Sequence, residues 1–358
     1  MCAVPTSRAL TSILAAVATT MGTVPGSIST VPGSVSTVPA TAAASGVRVA
    51  GRPISSGSAR APLYPLPAGP VQPKPCQPPR VPPPPPPPPL GPPIVKEAAV
   101  PLVGAPPPRR VNLSAVSGKG IWLTVWPGES LDVPAIVATA RSAGLRQLWL
   151  RTGSSQNGFY GGATLKSLVP AAHAAGISVI AWDFPTLSDP AADAARAVLA
   201  LGSGADAFSP DIETAAEGTY LTARRVRYYL SLVRAAAGDR PVIATVMRPT
   251  PYWVENYPYA AEAPFVDAFA PMVYWSCTEP GFAVNEAVSV LSRWRPVAPI
   301  GEDYDMGPEG GPSGLPSPRQ IWRFLDVAHR LGAVGASLYD LETGGPAQLH
   351  ALAEYPWR

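Results

Sequence analysis

The sequence predicts an α/β chain folded as a closed (β/α)8 TIM barrel, preceded by a long disordered N-terminal region rich in Pro, Ala and Ser. Three observations lead there. From about Gly118 onward, eight short apolar runs alternate with amphipathic segments, a pattern that calls for a parallel sheet covered by helices. Eight such repeats within about 240 residues suit a closed barrel better than an open doubly wound sheet, which is the competing arrangement. Finally, Trp126-Pro127-Gly128 follows the first run where a dinucleotide-binding fold would place a glycine-rich phosphate loop.

The strand-like runs fall at residues 120–126, 147–152, 178–184, 207–213, 242–247, 268–275, 297–303 and 336–340. Helical periodicity separates them at 133–143, 165–175, 191–201, 223–237, 285–294 and 318–331. Asp132, Asp189 and Ser317 stand where N-caps are expected, and Gly144, Gly176, Gly238 and Gly332 follow helices at the C′ position.

The first 110 residues are a different object. They hold 27 of the 48 prolines and nine Lys or Arg against the single acid Glu97, about +8, whereas the remaining 18 bases and 23 acids leave about −5. The net charge of +3 thus joins a basic arm to an acidic domain. Built of Pro, Ala, Ser, Gly and Val without a sustained period, the arm cannot bury enough apolar surface to offset its ordering entropy. A heptad repeats at 23–29 (TVPGSIS) and 30–36 (TVPGSVS), and prolines 82–89 are expected to form a stiff polyproline II run.

Arg8 and the apolar stretch 9–21 give residues 1–25 the features of a weak secretory signal, so a secreted or cell-envelope location is expected. The stretch is too short for a membrane span, and no other segment approaches about 20 continuous apolar residues. Residues 26–110 are read as a disordered, proline-rich, basic linker and 111–358 as the barrel. Nine bases spread over 110 residues make a poor nucleic-acid surface, so no nucleic-acid partner is expected, and the protein is expected to be a monomer. A reading in which the arm is the functional part, as an adaptor, stays open. Cys2, Cys76 and Cys277 form neither a CxxC pair nor a dense disulfide framework.

In a parallel barrel the functional residues gather where the strands end. The candidates there are Trp126, Arg151, Trp182, Asp183, Asp211, Glu213, Met272, Tyr274, Trp275, Asp303, Tyr339 and Asp340. Acids and aromatics dominate, a mixture that suits a carbohydrate: aromatic faces stack on sugar C–H faces, and carboxylates transfer protons and recognise hydroxyls. Asp211 and Glu213 are the most telling pair, because side chains at i and i+2 of a strand share a face about 7 Å apart, and two buried acids are costly unless a partner or a reaction uses them.

Other chemistries find less material. His173, His329 and His350 lie in or beside helical segments, which disfavours a histidine metal site or a Ser-His-Asp triad. Glu302-Asp303-Tyr304-Asp305 brings negative charge to the loop that would otherwise hold a phosphate. An Mg²⁺ or Ca²⁺ site from Asp211, Glu213, Asp303 and Asp340 is the alternative use of these acids. The favoured reading needs no metal and no cofactor.

On these residues the sequence resembles the retaining barrel glycosidases, most closely the chitinase-like glycoside hydrolases of family 18. That family carries Asp-x-x-Asp-x-Asp-x-Glu on its fourth strand, matched here by Asp206, Asp211 and Glu213, with Ser209 in place of the second Asp. Its sixth-strand Met-x-Tyr-Asp is matched by Met272 and Tyr274, with Trp275 in the aspartate's place. Its eighth-strand Trp is absent from the stretch ending in Tyr339 and Asp340. A short Asp-x-Glu also gives a weaker similarity to the lysozyme-like barrels of family 25, whose first-strand Asp is missing here.

The resemblance implies a hydrolase acting on a polysaccharide with N-acetylhexosamine units, such as chitin or peptidoglycan. It also implies substrate-assisted retention: Glu213 protonates the leaving oxygen, the substrate's acetamido oxygen attacks, Asp211 orients that group, and Tyr274 hydrogen-bonds to it. The departures at Ser209 and Trp275 keep a second reading open, a carbohydrate-binding barrel without hydrolytic activity.

Overall fold

A computed structural model describes residues 90–309 and 311–357. The expected signal at 1–25 and the linker up to residue 89 lie outside the described residues. Eight parallel strands form the barrel: β1 Gly118–Leu123, β2 Gln147–Ser154, β3 Ser178–Phe184, β4 Ala207–Pro210, β5 Ile243–Met247, β6 Ala268–Val273, β7 Ile300–Glu302 and β8 Gly335–Tyr339. They pair in the order β4-β3-β2-β1-β8-β7-β6-β5, and the parallel bridges Phe208 to Val242 and Asp211 to Thr245 close the ring between β4 and β5. A short antiparallel strand, Gly158–Phe159, pairs with the end of β2.

Helices alternate with the strands: α1 Val133–Ser142, α2 Gly162–Ala174, α3 Pro190–Gly202, α4 Ala223–Ala237, α5 Pro251–Asn256, α6 Tyr259–Glu262, α7 Pro280–Leu291, α8 Pro318–Arg330 and α9 Pro346–Glu354. Asp132, Asp189 and Ser317 do cap α1, α3 and α8 through their side chains, and Gly144, Gly176, Gly238 and Gly332 have positive φ, as expected of residues that end helices. The sequence pattern missed α5, α6 and α9, whose lengths of six, four and nine residues leave little room for a 3.6-residue period to show. No helix among the described residues is long and apolar enough to cross a membrane.

Alternation along the strands sorts side chains into two cores. Ile121, Leu148, Val179 and Phe208 face outward and pack under the helices. Trp122, Trp149, Ile180 and Ala207 lie in register across β1 to β4 and fill the barrel interior, joined there by Trp182, Ile243 and Ala270. The Trp122 and Trp149 rings stack at 4.8 Å and 12°. Both indole N–H groups are satisfied, by Ser337 Oγ at 2.9 Å and Gln147 Oε1 at 2.8 Å.

At the amino end of the barrel the buried Gln147 amide also donates to the Val116 and Gly118 carbonyls at 2.8 and 2.9 Å. Gly335 is wedged against this knot: a Cβ there would come within 2.1 Å of the Val116 oxygen and 2.6 Å of Gln147 Nε2. Gly335→Ala should therefore destabilise the fold by about 1–3 kcal/mol through overpacking, read as a lower denaturation midpoint at unchanged slope.

Part of the expected linker belongs to the structure. Arg225, buried at the start of α4, donates to the Leu187 carbonyl at 2.8 Å and pairs with Glu97 at 2.8 Å. Arg224 donates to the Val100 carbonyl at 2.6 Å, and the Val95 amide donates to the Ser188 carbonyl at 3.0 Å. Residues 91–100, assigned to the linker from composition, dock on the barrel because α4 offers arginines to their carbonyls and to their single acid.

Candidate active site

Strand β4 ends at Pro210, so the expected strand through Glu213 is shorter than its apolar pattern suggested. Asp211 continues the line through its bridge to Thr245, Ile212 turns outward into the core beneath the helices, and Glu213 follows in the loop. The i, i+2 relation survives that change. Asp211 and Glu213 both line a cleft of about 740 Å³ at the carboxyl ends of the strands.

The cleft wall is drawn from six of the eight strands or their following loops: Thr124 and Trp126 after β1, Asp211 and Glu213 after β4, Thr245 and Met247 on β5, Met272 and Tyr274 at β6, Tyr304 after β7, and Tyr339 and Asp340 at β8. Tyr339 sits among aromatics, with ring centroids 6.0 Å from Tyr274 and 6.1 Å from Tyr304. Trp126 is half exposed at the rim, and the Arg151 guanidinium lies 4.0 Å from its ring centroid.

The two acids are in an unusual electrostatic position. Asp211 is 8% exposed and its Oδ1 has no hydrogen-bond partner among the described residues. Burial pushes its carboxyl up to about 7, opposed by Arg151 and aided by Asp183 and Glu217. Burial also raises Glu213 well above the ordinary glutamate range, and the neighbouring charges of Asp211, Glu217 and Glu309 push in the same direction. Each of these carboxyls thus makes the other harder to ionise. Tyr274 is likewise raised well above its ordinary value by burial, so its hydroxyl keeps its hydrogen as a donor.

Of the expected residues, Trp126, Asp211, Glu213, Met272, Tyr274, Tyr339 and Asp340 converge on this cleft. The others do not line it. Asp183 is fully buried on the outer face of β3, where Arg196 grips it with bonds of 2.7 and 2.8 Å. Trp275 is fully buried against Phe324 of α8, with ring centroids 5.5 Å apart. Asp303 lies behind the wall against Gly344, raised to about 8 by burial and then by Asp340. Trp182 and Arg151 belong to the layer beneath: Trp182 packs 5.2 Å from Trp122 in the barrel interior, and Arg151 lies 5.1 Å from its ring centroid.

With Asp303 outside the cleft, the four acids considered for Mg²⁺ or Ca²⁺ do not share one surface, and the described residues contain no group of three potential ligands placed to hold a metal. Ser209 points into the barrel but its hydroxyl is bonded to the Ile243 carbonyl and Thr245, 2.7 and 2.9 Å away, so it does not reach Asp211 as a relay. Asp206 accepts from the Val179 amide at 2.7 Å and lies 2.9 Å from His173, away from the cleft lining.

Sequence reasoning missed Glu217, Trp253 and Glu309, which also line the cleft. Glu217 closes a capping box with Thr214, Trp253 lies on the six-residue α5, and Glu309 accepts from the Tyr304 hydroxyl at 3.1 Å. All three lie beyond the strand ends, where no strand period governs which way a side chain faces.

Comparison with protein-family models and with curated proteins gives no match. Solved structures do match in shape. A chitinase from Chromobacterium violaceum superimposes with a TM-score of 0.52 at 11% identity, over 68% of this chain and 99% of that one. The spore cortex-lytic enzyme of Bacillus cereus gives 0.51 at 11% identity, over 67% and 74%. A family GH113 β-1,4-mannanase gives 0.51 at 10% identity, over 67% and 97%. The chain shares their barrel fold. The resemblance expected from the sequence, to the (β/α)8 glycoside hydrolases, therefore holds at the level of architecture.

Proposed function

We propose that the barrel hydrolyses glycosidic bonds of a polysaccharide, with Glu213 as general acid and base. The observation that carries this reading is the convergence of Asp211 and Glu213 on one aromatic-walled cleft at the carboxyl ends of the strands. A carboxyl held protonated by burial is suited to donate to a leaving oxygen, and aromatic faces suit a sugar chain. The cleft volume and the chitinase, cortex-lytic and mannanase barrels of like shape support the same assignment. Export, expected from residues 1–25, would bring the barrel to polysaccharides of the cell envelope or its surroundings.

With an acetamido sugar at the cleavage point, Glu213 gives its proton to the glycosidic oxygen as the bond to the anomeric carbon breaks. The acetamido oxygen forms the new bond to that carbon. Asp211 accepts the acetamido N–H and balances its growing positive charge, while the Tyr274 hydroxyl donates to the group. Water then attacks the anomeric carbon as its bond to the acetamido oxygen breaks, and the Glu213 carboxylate takes a proton from that water. The test is release of new reducing ends from chitin, peptidoglycan and mannan by the full-length protein.

A second reading, binding without cleavage, draws on Ser209: its hydroxyl is committed to Ile243 and Thr245, so the buried Asp211 lacks the acid that would share its proton. Retained affinity with no reducing ends on any of these polymers would decide for it.

The coupling of the two acids predicts a pH signature. Removing the Asp211 charge makes Glu213 easier to ionise, so Asp211→Asn should move the alkaline limb of kcat/KM to lower pH, measured on the residual activity. An unmoved limb would mean that Glu213 does not set it.

A further inference from the structure

Three carboxylates in the cleft are given no contact with the reacting atoms in the chemistry proposed above. Glu217 and Glu309 are exposed, and Asp340 is buried in the wall. Each commits one oxygen to its own loop: Glu217 Oε2 accepts from the Thr214 amide at 3.1 Å, Glu309 Oε2 from the Tyr304 hydroxyl at 3.1 Å, and Asp340 Oδ1 from the Thr343 amide at 3.0 Å. Their second oxygens accept no hydrogen bond among the described residues. Independently of these three, Asp211 is more than nine-tenths buried in the same wall, and its Oδ1 has no partner among the described residues.

Positive charge is scarce there. Among the described residues Arg248 is the cation in the lining, and it is already engaged, 3.5 Å from Glu286 and 3.3 Å from the Tyr274 carbonyl. Arg151 reaches the region from below but is stacked on Trp126. Among the described residues no Lys, His, Asn or Gln contributes to the lining, so beyond hydroxyls, the indole N–H groups of Trp126 and Trp253, and Arg248, the wall is rich in acceptors. A fully acetylated sugar chain brings one carbonyl per residue that seeks a donor, whereas a primary ammonium brings three donors and a charge.

We propose that the cleft takes a hexosamine polysaccharide with some of its amino groups free, the ammonium groups lying against Glu217, Glu309 and Asp340 while an acetamido sugar occupies the place beside Asp211 and Tyr274. This rests on the glycosidase reading and narrows its substrate to a polycationic glycan. Trp126, Trp253 and Tyr304 fit it twice over, since an aromatic face stacks on a sugar ring and also attracts a cation.

The test is calorimetric titration of the full-length Glu213→Gln protein with two β-1,4-linked glucosamine hexamers, one fully N-acetylated and one with half its amines free. The half-free hexamer should bind at least about tenfold tighter at 20 mM salt, and the preference should shrink several-fold at 300 mM as screening takes hold. Adding Glu309→Gln should also reduce the preference. Equal or weaker binding of the half-free hexamer would overturn the inference, as would failure to bind either hexamer or a preference that neither salt nor Glu309→Gln moves. Reducing-end release by the wild-type protein separates the two readings. Cleavage of the acetylated hexamer without the preference leaves the hydrolase standing, and the preference without any cleavage leaves a binding barrel for the same glycan.

Discussion

Glu213→Gln should lower kcat/KM on any polysaccharide the full-length protein cleaves by about 100-fold or more while leaving the melting temperature nearly unchanged. Proton transfer by a positioned side chain contributes about 10²–10⁴ to such rates, and glutamine keeps the volume and polarity of the site while having no proton to give. Burial and the charges of Asp211, Glu217 and Glu309 keep the wild-type carboxyl protonated, so the amide resembles its resting state and folding should not suffer. The measurement is initial rates of reducing-end release together with a thermal melt. Turnover within threefold of wild type would remove Glu213 from the acid role.

The largest effect on stability should come from Arg196→Met. Arg196 lies almost wholly buried between β3 and α3, bonded to both Asp183 oxygens and to Asp193 at 2.9 Å. Burial opposes its charge, but the two carboxylates outweigh that and raise its pKa. Methionine fills a similar volume and leaves two acids buried without a cation. Breaking a buried pair in this way costs about 3–5 kcal/mol, or roughly 10 °C in melting temperature for a domain of this size.

The sign of its pH dependence follows from Asp183. Burial already raises this carboxyl, and Arg196 pulls it back. Without Arg196 the folded-state pKa rises further, so the variant's deficit should be small below the unfolded value of about 4 and grow as pH rises toward the folded one. A deficit independent of pH would mean that lost packing, rather than the orphaned acids, causes it.

Strand β3 was legible to the residue, because its apolar run stops at Gly176 on one side and at Pro185 on the other. The sorting of residues at its end was also latent in the sequence. Trp182 faces the interior, so Asp183 must face α3, and Met272 and Tyr274 face the cleft, so Trp275 must face α8. Carrying the two-residue alternation outward from Asp211, and not only the proximity to strand ends, would have separated them. Glu217, Trp253 and Glu309 had no such signal, since loop geometry turns on capping and turn details that a linear pattern does not carry.

The indole layer inside the barrel has a last consequence for traffic. Trp122, Trp149 and Trp182 pack against one another in the barrel interior beneath the cleft. On the proposed hydrolase reading, the fragments of a sugar chain leave on the same face of the barrel on which the chain arrives. That reading then predicts that departure of the fragments governs turnover as much as the breaking of the bond.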